Sequence, residues 1–325
     1  MYSSPVATGA GKTEMLFPLI EDAIWRGESV LIATPRKDVV KELEPRLRKA
    51  FPHAPPVALY GGSEAKWESG PVMLATTHQL LRFRHFFDLV VIDELDAFPY
   101  HNNPMLQHAA GRAGKPGAPR ILLTATPPAS LAKLARRGRL PHVKVPVRYH
   151  RHPLPVPSRL RVAPAQHWIR RGQLPAALRR RLRQSLERGA QVFLFVPRIA
   201  LVDPLVRLLE ARFPEWAVEG VSSRDAERHD KVLRFRERTT HMLVTTTILE
   251  RGVTVKRSDV YIADADDRLF DAAALIQMAG RAGRSAEDPA GKVWFLSGQW
   301  TGPQRQAIRN IRMMNRTAKK AGYLQ

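Results

Sequence analysis

Two kinds of hydrophobic pattern alternate along the chain. VLIAT (30–34), VMLAT (72–76), DLVVID (88–93) and ILLTAT (121–126) are short runs of consecutive apolar residues. Between them, TEMLFPLIEDAIWRG (13–27) and RKDVVKELEPRLRKAF (36–51) carry apolar residues every three or four positions. A strand that is apolar at every position has both faces buried. The alternation therefore predicts a parallel sheet with helices on each side. Pro18 falls inside the first helical pattern and predicts a kink or a displaced helix start there.

The pattern breaks at VPVRYHRHPLPVPSRLRVAPAQ (145–166), which is rich in Pro and Arg and shows no period. It then restarts. QVFLFV (191–196), HMLVTTT (241–247), DVYIADA (259–265) and KVWFLS (292–297) read as strands. ALVDPLVRLLEARF (200–213) and RDAERHDKVLRFRER (224–238) read as helices between them. The expected organisation is a first α/β lobe over 1–148, a linker over 149–166 and a second α/β lobe over 167–325. RQAIRNIRMMNRTAKKAGYL (305–324) predicts a closing basic amphipathic helix.

Onto this frame the sequence places three groups of reactive residues. In ATGAGKT (7–13), Gly9 and Gly11 let the backbone curl so that its N–H groups face a phosphate. Lys12 then reaches the outer phosphates and Thr13 ligates Mg²⁺, with a helix N-terminus behind them. The full phosphate-loop pattern has Gly where this chain has Val6. In LVVIDELDAF (89–98), Asp93 and Glu94 end an apolar strand. There one carboxylate can hold Mg²⁺ and the next can position and deprotonate an attacking water. In ALIQMAGRAGRS (274–285), a continuous helix would set Arg281 and Arg284 one turn apart on one face. Such a pair can stabilise charge developing on a transferred phosphoryl group. Gly280 and Gly283 are costly inside a helix and imply close approach to something.

Charge and composition narrow the partner. The 325 residues carry a formal net charge of +22, which suits a polyanion such as a phosphate backbone and equally an anionic membrane surface. Aromatic residues make up only 7%, so stacking on bases is not the expected main mode of binding. Trp168, Trp216, Trp294 and Trp300 are expected to pack, and the arginine-rich stretch around 179–189 to form a solvated helix face. With no cysteine in the sequence, disulfides, cysteine zinc sites and thiol nucleophiles are excluded from these residues. No run approaches the ~18 apolar residues of a membrane span, and the first residues lack the basic-then-apolar pattern of a signal peptide.

The three groups, in this order, resemble the superfamily 2 helicases. Other segments fit the same series: ATPRKDVVKEL (33–43), ATTHQLL (75–81), TATPP (124–128), FLFVPR (193–198) and VTTTILERGVTV (244–255). A finer likeness, carried by TGAGKTEM, VIDELDAFPY and FDAAALIQMAGRAGRS, is to the ComFA family of late-competence ATPases; the PriA-like replication-restart helicases share much of the same core. The resemblance implies two tandem RecA-like lobes, each a parallel sheet flanked by helices, that use ATP and Mg²⁺. It places Thr8, Gly9, Ala10, Gly11, Lys12, Thr13 and Gly252 at the nucleotide, Thr13 and Asp93 at the metal, and Glu94 at the water. Gln277 orients the γ-phosphate or the water, beside Arg281 and Arg284. Thr34, Arg36, Thr76, Thr77 and His78 in the first lobe, with Arg198, Thr245 and Thr246 in the second, become contacts to single-stranded DNA, and Thr124 and Thr126 become coupling residues. The implied setting is cytoplasmic, at the inner face of the membrane, with the DNA-uptake channel and other late-competence proteins as partners. Members of that family usually carry a four-cysteine zinc module before the motor. Without cysteines, and with the phosphate loop so near residue 1, this chain is expected to begin part-way into the motor and to bind no zinc.

Overall fold

The computed structural model describes residues 2–5, 14–63, 68–247 and 255–324, and the chain falls into two compact units, Met1–Val145 and Pro146–Gln325. The first unit runs β1 (Tyr2–Pro5), α1 (Phe17–Trp25), β2 (Val30–Thr34), α2 (Lys37–Ala50), β3 (Val57–Leu59), β4 (Val72–Thr76), β5 (Leu89–Ile92), α3 (Pro104–Ala113), β6 (Arg120–Thr124) and α4 (Ala129–Arg136). Its strands form one sheet in the order β1-β6-β5-β2-β4-β3, and every pairing is parallel. The continuous apolar strands follow from burial on both faces. Val30 and Ile32 pack with Ile20, Val40 and Leu43 on one side, while Leu31 and Ala33 pack with Leu106 and Ala109 on the other. Pro18 does not kink α1. It lies in the first turn, where its missing N–H has no partner to lose, and a 3-10 turn at Glu14–Leu16 precedes it.

A polar clasp holds β2 beside β5. Asp88 accepts bonds from the Ser29 backbone N–H (3.0 Å), the Ser29 hydroxyl (2.8 Å) and Lys115 Nζ (2.7 Å). The Lys115 bond, followed by those of Ser29, pulls the Asp88 pKa down from 3.8 to about 2. A carboxyl depressed in the folded state stabilises it above the unfolded pKa, and that contribution is lost as pH falls through the folded pKa. Asp88→Asn is therefore expected to lower the melting temperature at neutral pH. Its deficit relative to the parent should shrink below about pH 4 and vanish near pH 2. Thermal melts of both proteins across that range check it.

The second unit runs β7 (Ser158–Arg161), α5 (Ala165–Arg171), α6 (Ala176–Glu187), β8 (Gln191–Phe195), α7 (Val202–Arg212), β9 (Val218–Val221), α8 (Arg228–Arg236), β10 (Met242–Thr245), β11 (Ser258–Ala263), α9 (Ala272–Ala279), β12 (Val293–Ser297) and α10 (Gly302–Lys320). The sheet order is β7-β12-β11-β8-β10-β9, again all parallel. Residues 149–166 belong to this unit, and within them β7 pairs along β12. The aperiodic sequence there hides an edge strand, which needs no continuous apolar run because one side has no neighbour. A buried polar node ties β11 to α6. Asp259 is fully buried and accepts bonds from Arg188 Nη2 (2.5 Å), the Ser185 hydroxyl (2.6 Å) and the Lys292 N–H (2.6 Å).

Candidate nucleotide and nucleic-acid sites

The proposed phosphate loop, with Thr8, Gly9, Ala10, Gly11, Lys12 and Thr13, and also Gly252, lies outside the described residues. Its flanks are described. Pro5, at the end of β1, is in register with Thr124 of β6, and the chain resumes at Glu14. In parallel α/β sheets ligands bind beyond the carboxyl ends of the strands, and the acidic residues lie at such an end.

Asp93 and Glu94 follow β5 directly. The sheet holds this corner from two sides, with the Asp93 N–H on the Ala33 carbonyl (2.8 Å) and the Leu95 N–H on the Leu123 carbonyl (3.2 Å). Between these ties Glu94 sits at φ +54°, a left-handed conformation that costs a non-glycine residue roughly 1–2 kcal/mol. Asp93 is only 7% exposed, and its Oδ1 accepts the Glu94 N–H at 2.8 Å. Backbone strain held by flanking pairings is characteristic of functional corners. The carboxylate oxygens offered here suit Mg²⁺, a hard cation that takes oxygen ligands. Among the described residues no group of three or more His, Cys, Asp or Glu could hold a metal. Mg²⁺ arriving with a nucleotide needs no such cage, because phosphates and water fill its shell.

Asp96 completes the corner, and the sequence reading passed it over. Its Oδ1 accepts the Thr124 hydroxyl at 2.9 Å and its Oδ2 the Thr126 hydroxyl at 2.5 Å. Thr124 also accepts the Thr126 N–H at 3.0 Å. The acidic segment and TATPP are thus one hydrogen-bonded unit, with charge-assisted bonds roughly twice as strong as neutral ones. The only signal in the sequence was a third carboxylate in DELD. Arg46 of α2 was missed as well. It pairs with Glu14, the residue after Thr13, and burial lowers its pKa against the pull of Asp93.

The arginine segment departs from expectation. α9 is capped at its start by Asp271, whose Oδ1 accepts the Ala274 N–H at 2.7 Å, and it carries buried Gln277. It stops at Ala279, so Arg281 and Arg284 lie in the turn that follows and not one helical turn apart. Gly283 is the reason. It adopts φ +60°, and a Cβ on it would come 2.4 Å from the Pro289 carbonyl oxygen. A Cβ on Gly291 would come 2.4 Å from the Gly283 nitrogen. The close approach inferred from the glycines is backbone on backbone, within the unit. Arg281 is 2% exposed and its carbonyl accepts the Ser258 hydroxyl (2.8 Å), while Arg284 Nε donates to the Gly280 carbonyl (2.8 Å).

Thr34 and Thr76 end neighbouring strands and are in register; Thr77 opens a 3-10 turn, and Arg36 precedes α2. All three threonines are buried, whereas His78 is exposed. The hydroxyls of Thr34 and Thr77 find no hydrogen-bond partner. In the second unit Arg198 is paired with Asp267 at 2.8 Å, and the buried Thr245 hydroxyl donates to the Thr246 carbonyl at 3.3 Å. A buried, unsatisfied hydroxyl costs about 1–3 kcal/mol. Thr34→Val keeps the shape and removes it, so a raised unfolding free energy, by about 1 kcal/mol, is expected in denaturant titrations.

Trp168 is buried as expected, but the arginine-rich helix face is not simply solvated. Arg181 lies over Trp294 (4.7 Å) and Arg183 over Trp216 (5.5 Å), which spends two cations on rings.

Comparison with known proteins supplies the family. The DEAD/DEAH box helicase model matches residues 5–134, and that of the helicase conserved C-terminal domain matches 174–286. The chain is 42% identical over 312 residues to the competence protein ComFA of Bacillus subtilis strain 168, covering 96% of this chain and 67% of that one. It is 37% identical over 311 residues to ComFA of Streptococcus pneumoniae R6, covering 96% and 72%. In fold it is similar to the DEAD-box helicase Mss116 bound to single-stranded RNA and UDP-BeF, with a TM-score of 0.70 at 16% identity over 100% of this chain and 79% of that one. S. cerevisiae Dbp5 bound to RNA and ADP BeF3 gives a TM-score of 0.68 at 15% identity, covering 96% and 82%. At such identities those structures speak for the tandem RecA-like fold alone. With two helicase domains and two ComFA relatives matched along nearly its whole length, the chain belongs to the ComFA family of superfamily 2 helicases.

Proposed function

We propose that this protein is an ATP-driven motor that moves along single-stranded DNA and serves DNA uptake during bacterial competence. The observation that carries the chemistry is the acidic corner, with Glu94 held in a left-handed conformation between two sheet ties and Asp96 locked onto Thr124 and Thr126. In this reading Gly9, Gly11 and Lys12 cradle the phosphates with Thr8 and Ala10, and Gly252 is a further nucleotide contact. Thr13 and Asp93 hold Mg²⁺, which when bound neutralises phosphate charge. Glu94 takes the proton of the attacking water. Gln277 orients that water or the γ-phosphate, and Arg281 and Arg284 answer the charge that develops on transfer.

Thr34, Arg36, Thr76, Thr77, His78, Arg198, Thr245 and Thr246 serve the DNA backbone. With most of these hydroxyls buried, the exposed His78, the charged Arg36 and Arg198, and backbone amides near the strand ends make the contacts, and such contacts carry no sequence information. Thr124 and Thr126, through Asp96, couple nucleotide to DNA. The proposed setting is the cytoplasmic face of the uptake channel, with late-competence proteins as partners. No helix among the described residues is long and apolar enough to cross a membrane.

Steady-state ATP hydrolysis with and without single-stranded DNA, with RNA of the same sequence as competitor, tests the reading. Turnover should rise with DNA and not with RNA, without dependence on base sequence. Equal stimulation by RNA would overturn the choice of substrate, and no stimulation would overturn the motor.

A further inference from the structure

The segment that opens the second unit is buckled to two helix ends. Arg148 is 1% exposed, and its guanidinium is spent on carbonyls, with Nη1 donating to Ala282 (2.7 Å) and Gly283 and Nη2 donating to Gly280 (3.0 Å). These belong to the turn where α9 stops. The last carbonyls of α9, at Ile276, Met278 and Ala279, accept the N–H groups of Gly280, Arg281 and Ala282, so the carbonyls further along the turn are the ones left for an outside donor. A planar fork of five donors can serve several of them together. Burial, then the like charge of Arg284, pushes the Arg148 pKa down to about 9, which still leaves it charged at neutral pH.

The neighbours extend the buckle. His150 Nδ1 accepts the His152 N–H at 3.2 Å, which leaves Nε2 as the protonated nitrogen, and Nε2 lies 3.1 Å from the Gly283 carbonyl oxygen. Arg151 donates through Nε and Nη2 to the Tyr323 and Gly322 carbonyls, both at 3.0 Å, just past α10. Leu154 exchanges two bonds with the Asn315 amide, at 2.8 and 2.9 Å.

Burying a guanidinium is expensive unless its geometry repays the lost hydration. Here the return is placement. The three carbonyls flank Arg281, whose own carbonyl is held by Ser258, and the Gly280 carbonyl accepts from both Arg148 and Arg284. Arg284 is thus drawn back onto the same turn, and its guanidinium shares one carbonyl with Arg148 despite the like charge. We infer that Arg148 is a positioning residue for ATP turnover, fixing the turn that carries Arg281 and Arg284 and so the direction in which those groups are presented. This rests on the reading above that the two arginines act on the γ-phosphate.

The test uses the full chain and four variants: Arg148→Ala, Arg148→Lys, Arg284→Ala and the double R148A/R284A. Each is checked for folding by circular dichroism and thermal melt, then assayed for DNA-stimulated ATP hydrolysis. A misplacement of about 1 Å costs on the order of 100-fold in rate. The expected result for R148A is a kcat reduced about 10- to 100-fold with the KM for ATP within about threefold of the parent. The double variant should be no slower than R284A alone, because residues acting as a unit are not additive. Should R148A fail to fold, R148K decides. It retains the charge but has a single nitrogen in place of the planar fork, so it cannot reproduce bonds made from Nη1 and Nη2 together, and its kcat should still fall. A folded R148A or R148K with parental kcat overturns the inference, as do losses that multiply in the double variant. If R284A itself turns over at the parental rate, the reading of the arginines fails and the inference falls with it.

Discussion

Glu94→Gln is expected to abolish ATP turnover while leaving the protein folded and able to bind ATP and DNA. The side chain is the general base of the account, and positioned acid–base groups contribute about 10²- to 10⁴-fold. Glutamine is nearly isosteric and can occupy the same left-handed position, at φ +54° between the Asp93 and Leu95 ties, so the corner should survive. The loss should therefore fall in kcat, by at least about 100-fold, with ATP affinity little changed. Single-turnover hydrolysis alongside equilibrium binding of a fluorescent nucleotide separates the two. A kcat within a factor of about three of the parent would remove Glu94 from the chemistry.

Replacing Asp96 by alanine should damage two properties together. It leaves the Thr124 and Thr126 hydroxyls, now bonded at 2.9 and 2.5 Å, without their shared acceptor. Two hydrogen bonds to a charged group at about 1.5–3 kcal/mol each bound the loss at about 3–6 kcal/mol, and because Asp96 is only half-buried an unfolding free energy lower by about 2–4 kcal/mol is expected from denaturant titration. The same bonds tie the acidic corner to β6, whose C-terminal end continues into TATPP. If they couple DNA binding to hydrolysis, the ratio of DNA-stimulated to unstimulated turnover should fall about tenfold, beyond what lost stability explains at temperatures where the variant remains folded. Thr126→Val, which removes one donor and keeps its bulk, should show a smaller drop in the same ratio. If D96A retains the parental ratio, the coupling role is wrong even if the stability loss is found.

The two-lobe frame was legible because parallel strands buried on both faces write themselves as unbroken apolar runs. β2, β4, β5, β6, β8, β10, β11 and β12 all stand where such runs lie. The strands that escaped notice, β3, β7 and β9, are the sheet edges, apart from β1, and SRLR at β7 is polar for that reason. Asp93 and Glu94 were readable because they end a strand. Asp96 was not, because its importance lies in bonds to residues 28 and 30 positions away. The end of α9 was misjudged because periodicity continues through AGRAG, whereas the backbone contact between Gly283 and Gly291 depends on a segment met only later in the chain. Arg148 stood in a stretch that reads as linker, and only the fold shows it reaching carbonyls more than 130 positions on.

The central claim is directed movement on single-stranded DNA, and the most direct measurement is arrival time at a labelled end. The protein would be bound to single strands of increasing length carrying a fluorophore at one terminus, and ATP added by rapid mixing. The account predicts a lag before the fluorescence change that grows in proportion to strand length, for labels at one terminus only, and that is absent with Glu94→Gln. A lag independent of length, in protein that binds the strands and hydrolyses ATP, would contradict it.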